Sequence, residues 1–199
     1  MYQLLETIKC AEGRLENIEF HQARFSLARK LKFGAENEIL LEQQIQVPDF
    51  ARTGLFRCRV IYGQQIETIE FIPHVYRVVN SLQLVDDNTI DYHFKYADRH
   101  NLEQLFEKRG TCDDIIIVKN GLITDSFAAN LVFFDGEKWW TPDTPLLPGT
   151  QRARLIKEGL ITPAVITKFD LKKFQKAGLI NAMSSIENMP VIAIDMIRN

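Results

Sequence analysis

The dipeptide Asn120-Gly121 constrains this chain most. It stands between two runs that alternate or cluster apolar residues, Asp114 to Val118 and Leu122 to Asp125. Asn-Gly adopts the type I′ turn, which needs positive φ at both central residues and folds its flanks into an antiparallel hairpin. The same grammar recurs along the chain. Leu4 to Cys10 reads as a strand closed by a turn at Glu12-Gly13, and Leu55 to Tyr62 and Ile66 to Ile72 alternate on either side of Gly63. Leu131 to Phe134 turns at Asp135-Gly136 into Trp139-Trp140-Thr141, and further strands are expected over Tyr76 to Val85, Leu179 to Ala182 and Val191 to Ile194. Asn17 to Phe33 reads as a helix with Phe20, Ala23, Leu27 and Leu31 on one stripe and Gly34 at the C′ position. Shorter helices are expected over Arg99 to Arg109, from about Gln151 to Gly159, and over Leu171 to Ala177. Hairpins outnumber strand-helix-strand units, so the expectation is an α+β fold with mostly antiparallel sheets. The polar, turn-rich stretch Asp86 to Asp91 (DDNTID) reads as the linker between two lobes, 1–85 and a larger 86–199.

Composition narrows the function classes. A net charge of -2 gives no long-range attraction to nucleic acid or anionic membrane. No apolar run reaches the ~18 residues of a membrane helix. The opening Met1-Tyr2-Gln3-Leu4-Leu5-Glu6 has neither the basic nor the apolar region of a signal peptide, so a cytoplasmic protein is expected. Cys10, Cys58 and Cys112 are scattered and odd in number, which argues against a disulfide framework and a zinc site. The chain has no P-loop, no GxGxxG, no GxSxG elbow and no HExxH. Its four histidines, His21, His74, His93 and His100, form no ligand pair at helical spacing.

One side chain draws notice by its setting. Tyr92-His93-Phe94-Lys95-Tyr96 places a single amine among rings. Desolvation favours the neutral, nucleophilic amine. A partly exposed lysine whose stem packs on aromatics gives the same pattern. Order and spacing add to it: Leu5-Glu6-Thr7-Ile8-Lys9, then His21-Gln22-Ala23-Arg24, then Lys95-Tyr96-Ala97-Asp98-Arg99 opening a helix. Asn120 through Phe133 follow, with Asp125 five residues before Asn130, and then Leu146-Leu147-Pro148-Gly149-Thr150-Gln151-Arg152. This ordered set resembles the class IV pyridoxal-phosphate (PLP) aminotransferase family, the branched-chain and D-amino-acid type, from residue 5 to about residue 192. Within that family, Lys95-x-x-x-Arg99 and Asn181-Ala182-Met183 look most like the lyase branch that splits 4-amino-4-deoxychorismate into 4-aminobenzoate and pyruvate for folate synthesis.

The resemblance implies a two-lobed fold with PLP in the cleft, a homodimer, and a small-molecule substrate. It makes Lys95, in the second lobe, the Schiff-base lysine, and Arg24 the grip on the cofactor phosphate, for which a guanidinium fork is suited. Thr150 and Gln151 match the loop whose N–H groups meet the phosphate at a helix start. Asn181 and Ala182 match a second phosphate loop. Asp125 stands where the family carries a glutamate that keeps the pyridine nitrogen protonated. Thr7 matches a threonine that helps deliver a proton as pyruvate leaves. Read without the family, Arg24 is equally a helix-surface arginine, Asp125 a turn aspartate and Thr7 a strand residue. Arg57, Arg59 and Arg77 are candidates for the substrate carboxylates by residue type alone. The resemblance leaves open an aminotransferase of the same family, or a member without activity.

Overall fold

The computed structural model describes residues 2–199. Contacts divide the chain into two units, residues 1–76 with 94–98, and residues 77–93 with 99–199.

The first unit is a four-stranded sheet in the order β2-β1-β3-β4. Its strands are β1 (Leu4–Ala11), β2 (Arg14–Leu15), β3 (Leu55–Tyr62) and β4 (Ile66–Pro73). All neighbours run antiparallel, as the Glu12-Gly13 and Gly63 turns require. Glu12 and Gly13 both take positive φ to reverse the chain within two residues. Helix α1 (Ile18–Phe33) ends at Gly34 in the left-handed conformation, whose N–H reaches back to Lys30. A one-turn helix α2 (Leu41–Gln44) follows. Alternation on β1 and β3 sends Leu4, Ile8, Val60 and Tyr62 to one side of the sheet, where they pack with Phe25 and Ala28 of α1.

The expected stripe on α1 is corrected by the structure. Leu27 and Leu31 are 58% and 64% exposed, and the buried face is His21, Phe25, Ala28 and Arg29. Both stripes have helical period, and buried polar bonding selects between them. Arg29 donates to Gln64 O, Asn37 O and Asn37 Oδ1, so its charged head is satisfied beneath the helix.

The second unit holds a nine-stranded sheet. Its strands are β5 (Leu82–Asp86), β6 (Asp114–Lys119), β7 (Leu122–Ser126), β8 (Asn130–Phe134), β9 (Trp139–Pro142), β10 (Ile161–Ala164), β11 (Lys176–Ile180), β12 (Val191–Ala193) and β13 (Ile197–Arg198). The main path runs β10-β9-β8-β7-β6-β5-β13, with β11 pairing β8 and β12. Antiparallel pairs predominate, and β5–β6, β9–β10 and β5–β13 are parallel. Asn120 and Gly121 have φ of 52° and 78°, the signature of the expected hairpin. Ile116, Val118, Leu131, Phe133 and Leu179 form the centre of the core. Helices α3 (His100–Glu107) and α4 (Thr150–Lys157) belong to this unit.

Three expectations change here. The strand read over Tyr76 to Val85 shortens to Leu82–Asp86. The helix read over Leu171 to Ala177 is a 3-10 segment, Lys168–Lys173, running into β11. Its Thr167–Asp170 capping box closes the start, and Lys176 already pairs with β8, so the chain has no room to continue a helix. The Asp86–Asp91 stretch lies inside the second unit, where Asp87 Oδ1 accepts from Thr89 N and Ile90 N in a side-chain-closed turn.

Among the described residues no helix is long and apolar enough to cross a membrane, and no group of three or more His, Cys, Asp or Glu is placed to hold a metal ion.

Candidate functional site

Glu6 breaks the apolar alternation of β1: Leu4, Ile8 and Cys10 share its side of the strand, yet Glu6 is fully buried there. A lone carboxylate in that position would be costly, and α1 supplies its partners from one turn. Arg24 donates through Nε to Oε1 at 2.8 Å and through Nη2 to Oε2 at 2.5 Å. His21 Nδ1 lies 2.6 Å from Oε2. Burial alone would raise the Glu6 pKa, but Arg24 and the hydrogen bonds overcome it and hold the carboxyl at about 2. Burial lowers the His21 pKa despite Glu6, so the ring is neutral. A carboxylate only accepts, so the neutral ring carries its proton on Nδ1 and donates it to Glu6.

Lys95 stands in the first unit, not in a lobe of residues 86–199. Its carbonyl accepts from Leu5 N at 2.8 Å, Ala97 N donates to Gln3 O at 2.9 Å, and Tyr96 bridges Leu4. The segment is extended along β1; the helix begins only at His100. The Lys95 charge reaches His21 and further disfavours the imidazolium. Glu6, His21 and Arg24 are thus brought together on one side of β1, and the Lys95 backbone runs along the start of the same strand.

Thr7 points from β1 to the opposite side from Glu6, where it pairs in register with Arg59. Lys9 pairs with Arg57 on that face. Arg59 is bound by Glu70 at 3.1 Å, and Arg77 donates to Asp113 O at 3.1 Å. Arg57 differs: its Nε is buried with no hydrogen-bond partner.

In the second unit, Asp125 of β7 pairs with Asn130 of β8. Asp125 Oδ1 accepts from Asn130 Nδ2 at 2.8 Å and Oδ2 from Leu147 N at 2.9 Å, with a further amide donor at Leu146. Burial pushes its pKa up to about 7, against those donors and the field of Arg152. Thr150 and Gln151 are buried in the first turn of α4, where helix N–H groups lack intrahelical acceptors.

Asn181 closes a tight turn, accepting through Oδ1 from Met183 N and Ser184 N at 2.9 and 3.1 Å and donating to Ala128 O at 3.3 Å; Ala182 lies within that turn. The Asn181 side chain therefore shapes its loop. Arg99 donates to Phe127 O at 2.5 Å, its guanidinium 4.2 Å from the ring centroid of the same residue.

In the first unit a buried carboxylate orders an arginine and an imidazole. In the second, a buried carboxylate pushed up to about 7 is tied to the loop that opens α4, a donor set that suits a ligand with a basic nitrogen and an anionic group. Sequence reasoning missed Glu6 and His21 as site residues; the signal was a charged residue at an inward position of an alternating strand.

A family profile described as "Amino-transferase class IV" matches residues 3–194. An "Uncharacterized protein" of Haemophilus influenzae is 38% identical over 188 residues, covering 94% of this chain and 100% of that one. A crystal structure of a "putative 4-amino-4-deoxychorismate lyase" from Haemophilus somnus 129pt superposes with a TM-score of 0.87 at 34% identity, over 94% of this chain and 98% of that chain. A "Putative amino-acid aminotransferase" from Mesorhizobium loti shares the fold with a TM-score of 0.80 at 22% identity, over 96% of this chain and 99% of that one.

Proposed function

The chain belongs to the class IV aminotransferases and is a PLP-dependent enzyme, and on that premise we propose that it is the lyase that converts 4-amino-4-deoxychorismate to 4-aminobenzoate and pyruvate in folate synthesis. The observation that carries the reading is the 34% identity, over nearly the whole of both chains, to the Haemophilus somnus protein that bears the lyase name. The residues fit the cofactor. Asp125 is a buried carboxylate whose ionisation is opposed by burial, and a protonated ring nitrogen would supply the missing positive charge.

Lys95 binds PLP through its amine. Arg24, Thr150 and Gln151 would hold the phosphate, with Asn181 and Ala182 in a second candidate loop. Bound PLP supplies an electron sink for the substrate α-carbon. With substrate bound, the Lys95 amine would take the α-proton. Loss of pyruvate then aromatises the product, and Thr7 helps return a proton to the departing fragment. Of the three candidate arginines, Arg57 is our choice for a substrate carboxylate, because its Nε lacks a hydrogen-bond partner among the described residues. The working unit is a homodimer, which a sedimentation mass of twice the chain tests.

Purified protein is expected to be yellow, with borohydride fixing a pyridoxyl group on Lys95. Wild type should release 4-aminobenzoate and pyruvate without an acceptor, and Lys95→Ala should do neither above background. A transaminase of the same family requires an α-keto acid acceptor, so turnover seen only with one would replace the lyase reading. Colourless protein that cannot be reconstituted with PLP would sink both.

A further inference from the structure

The Asp125 carboxylate and the Leu146–Gly149 loop meet on one side chain. Asn130 is buried, and both of its amide hydrogens are engaged: Nδ2 donates to Asp125 Oδ1 at 2.8 Å and to Leu147 O at 2.9 Å. Leu147 N donates back to Asp125 Oδ2 at 2.9 Å, which closes a ring of three residues. On its other side the amide is wedged against the loop. A Cβ at Gly149 would fall 1.9 Å from Asn130 Oδ1, so only glycine lets the loop lie this close. Gly149 is the N-cap of α4, and Thr150 and Gln151 follow at once.

We propose that Asn130 is a positioning residue that couples the ring-nitrogen contact of the cofactor to its phosphate contact, by tying Asp125 to the loop that opens α4. The inference rests on the reading above that Asp125 faces the ring nitrogen and Thr150-Gln151 the phosphate. A shift of the loop turns the Asn130 amide, and a turned amide withdraws a donor from Asp125. The donors to Asp125 from Asn130, Leu146 and Leu147 all favour the ionised carboxylate, as does Arg152 facing it from α4, itself under the field of Asp143. Burial alone opposes them. Asn130 is the one of these donors that also grips the loop through Leu147 O.

PLP and pyridoxal differ only by the phosphate, so their affinities for cofactor-free protein separate the two contacts. Pyridoxal affinity measured against pH follows the ionisation of Asp125, with a midpoint near 7 in wild type. In Asn130→Ala the midpoint should move upward by about one unit, the effect of removing one donor from a carboxylate. The preference for PLP over pyridoxal should fall by roughly tenfold as the loop loses its tether. Gly149→Ala, which displaces Asn130 without changing its chemistry, should give the same two changes and carries the test if Asn130→Ala does not fold. A midpoint unchanged in either folded variant overturns the inference whatever the preference does, since Gly149 opens the phosphate loop itself and its substitution can lower the preference directly. Asp125→Asn should remove the midpoint altogether. If it persists there, the assignment of Asp125 to the ring nitrogen fails, separately from the coupling.

Discussion

Glu6 and Asp125 are both buried carboxylates on strands, and they sit at opposite ends of the protonation scale. Glu6 is held at about 2 and Asp125 is pushed to about 7. Burial raises both, so the difference lies in what surrounds them. Glu6 has a guanidinium bound along one edge and an imidazole N–H at 2.6 Å. Asp125 has amide donors, and Arg152, the cation whose field acts on it, donates instead to Thr141 Oγ1 and Pro142 O. Neutral donors orient a carboxylate without neutralising it. Glu6 is thus matched by a bound cation, and Asp125 by neutral donors alone.

The contrast is testable in cofactor-free protein, and Asp125 should give the largest effect. Its carboxyl titrates near 3.8 when unfolded and about 7 when folded. Between those values the folded chain binds more protons than the unfolded one, so stability falls as pH rises, by about 4 kcal/mol in all. Denaturant unfolding from pH 4 to 8 should show the decline in wild type and not in Asp125→Asn. Adding PLP should flatten it too; a decline unaffected by either would place the missing charge elsewhere.

Glu6 should act in the opposite direction. Its pKa is depressed from 4.5 to about 2, so its contribution is complete above pH 4.5 and is lost toward pH 2, about 3 kcal/mol over that window. Glu6→Gln should lose about 3 kcal/mol at pH 7 and show no such acid limb, because it leaves Arg24 without its carboxylate. His21→Leu removes one donor to that carboxylate and should cost about 1–2 kcal/mol, moving the acid limb to higher pH. At the small end, Leu27→Ala and Leu31→Ala on the exposed face of α1 should each stay within about 0.5 kcal/mol by thermal melting. A larger loss would mean that this face is covered by something in solution.

How much of this was legible beforehand follows from the range of the forces involved. Turns are local: Asn120-Gly121 and Glu12-Gly13 declare positive φ by residue type, and the strands they join follow. The phase of α1 is not local. Period alone allows the Leu27–Leu31 stripe, and burial of Arg29 and His21 beneath the helix depends on residues outside it, Gln64, Asn37 and Glu6. The end of the second sheet failed for the same reason, since Lys176 becomes strand by pairing with Phe134. In the candidate site, Asp125 and Asn130 were marked by their spacing, but their shared loop emerges only when Leu147 folds back onto them. Glu6 was visible as a letter and not as a partner of Arg24, because a strand and a helix must first pack.

The chain passes from the first unit to the second after residue 76, returns for residues 94–98, and leaves again. That brief return is the stretch that carries Lys95 and pairs with the backbone of Gln3 and Leu5. During synthesis the opening sheet therefore waits for its last edge until residue 98 has emerged, some twenty residues after the rest of the unit. No single cut yields the first unit free of residues 77–93, and a truncation at residue 76 removes Lys95 while leaving the sheet's other strands in sequence. The Lys95 segment is sewn in late, after the strand that receives it has been made.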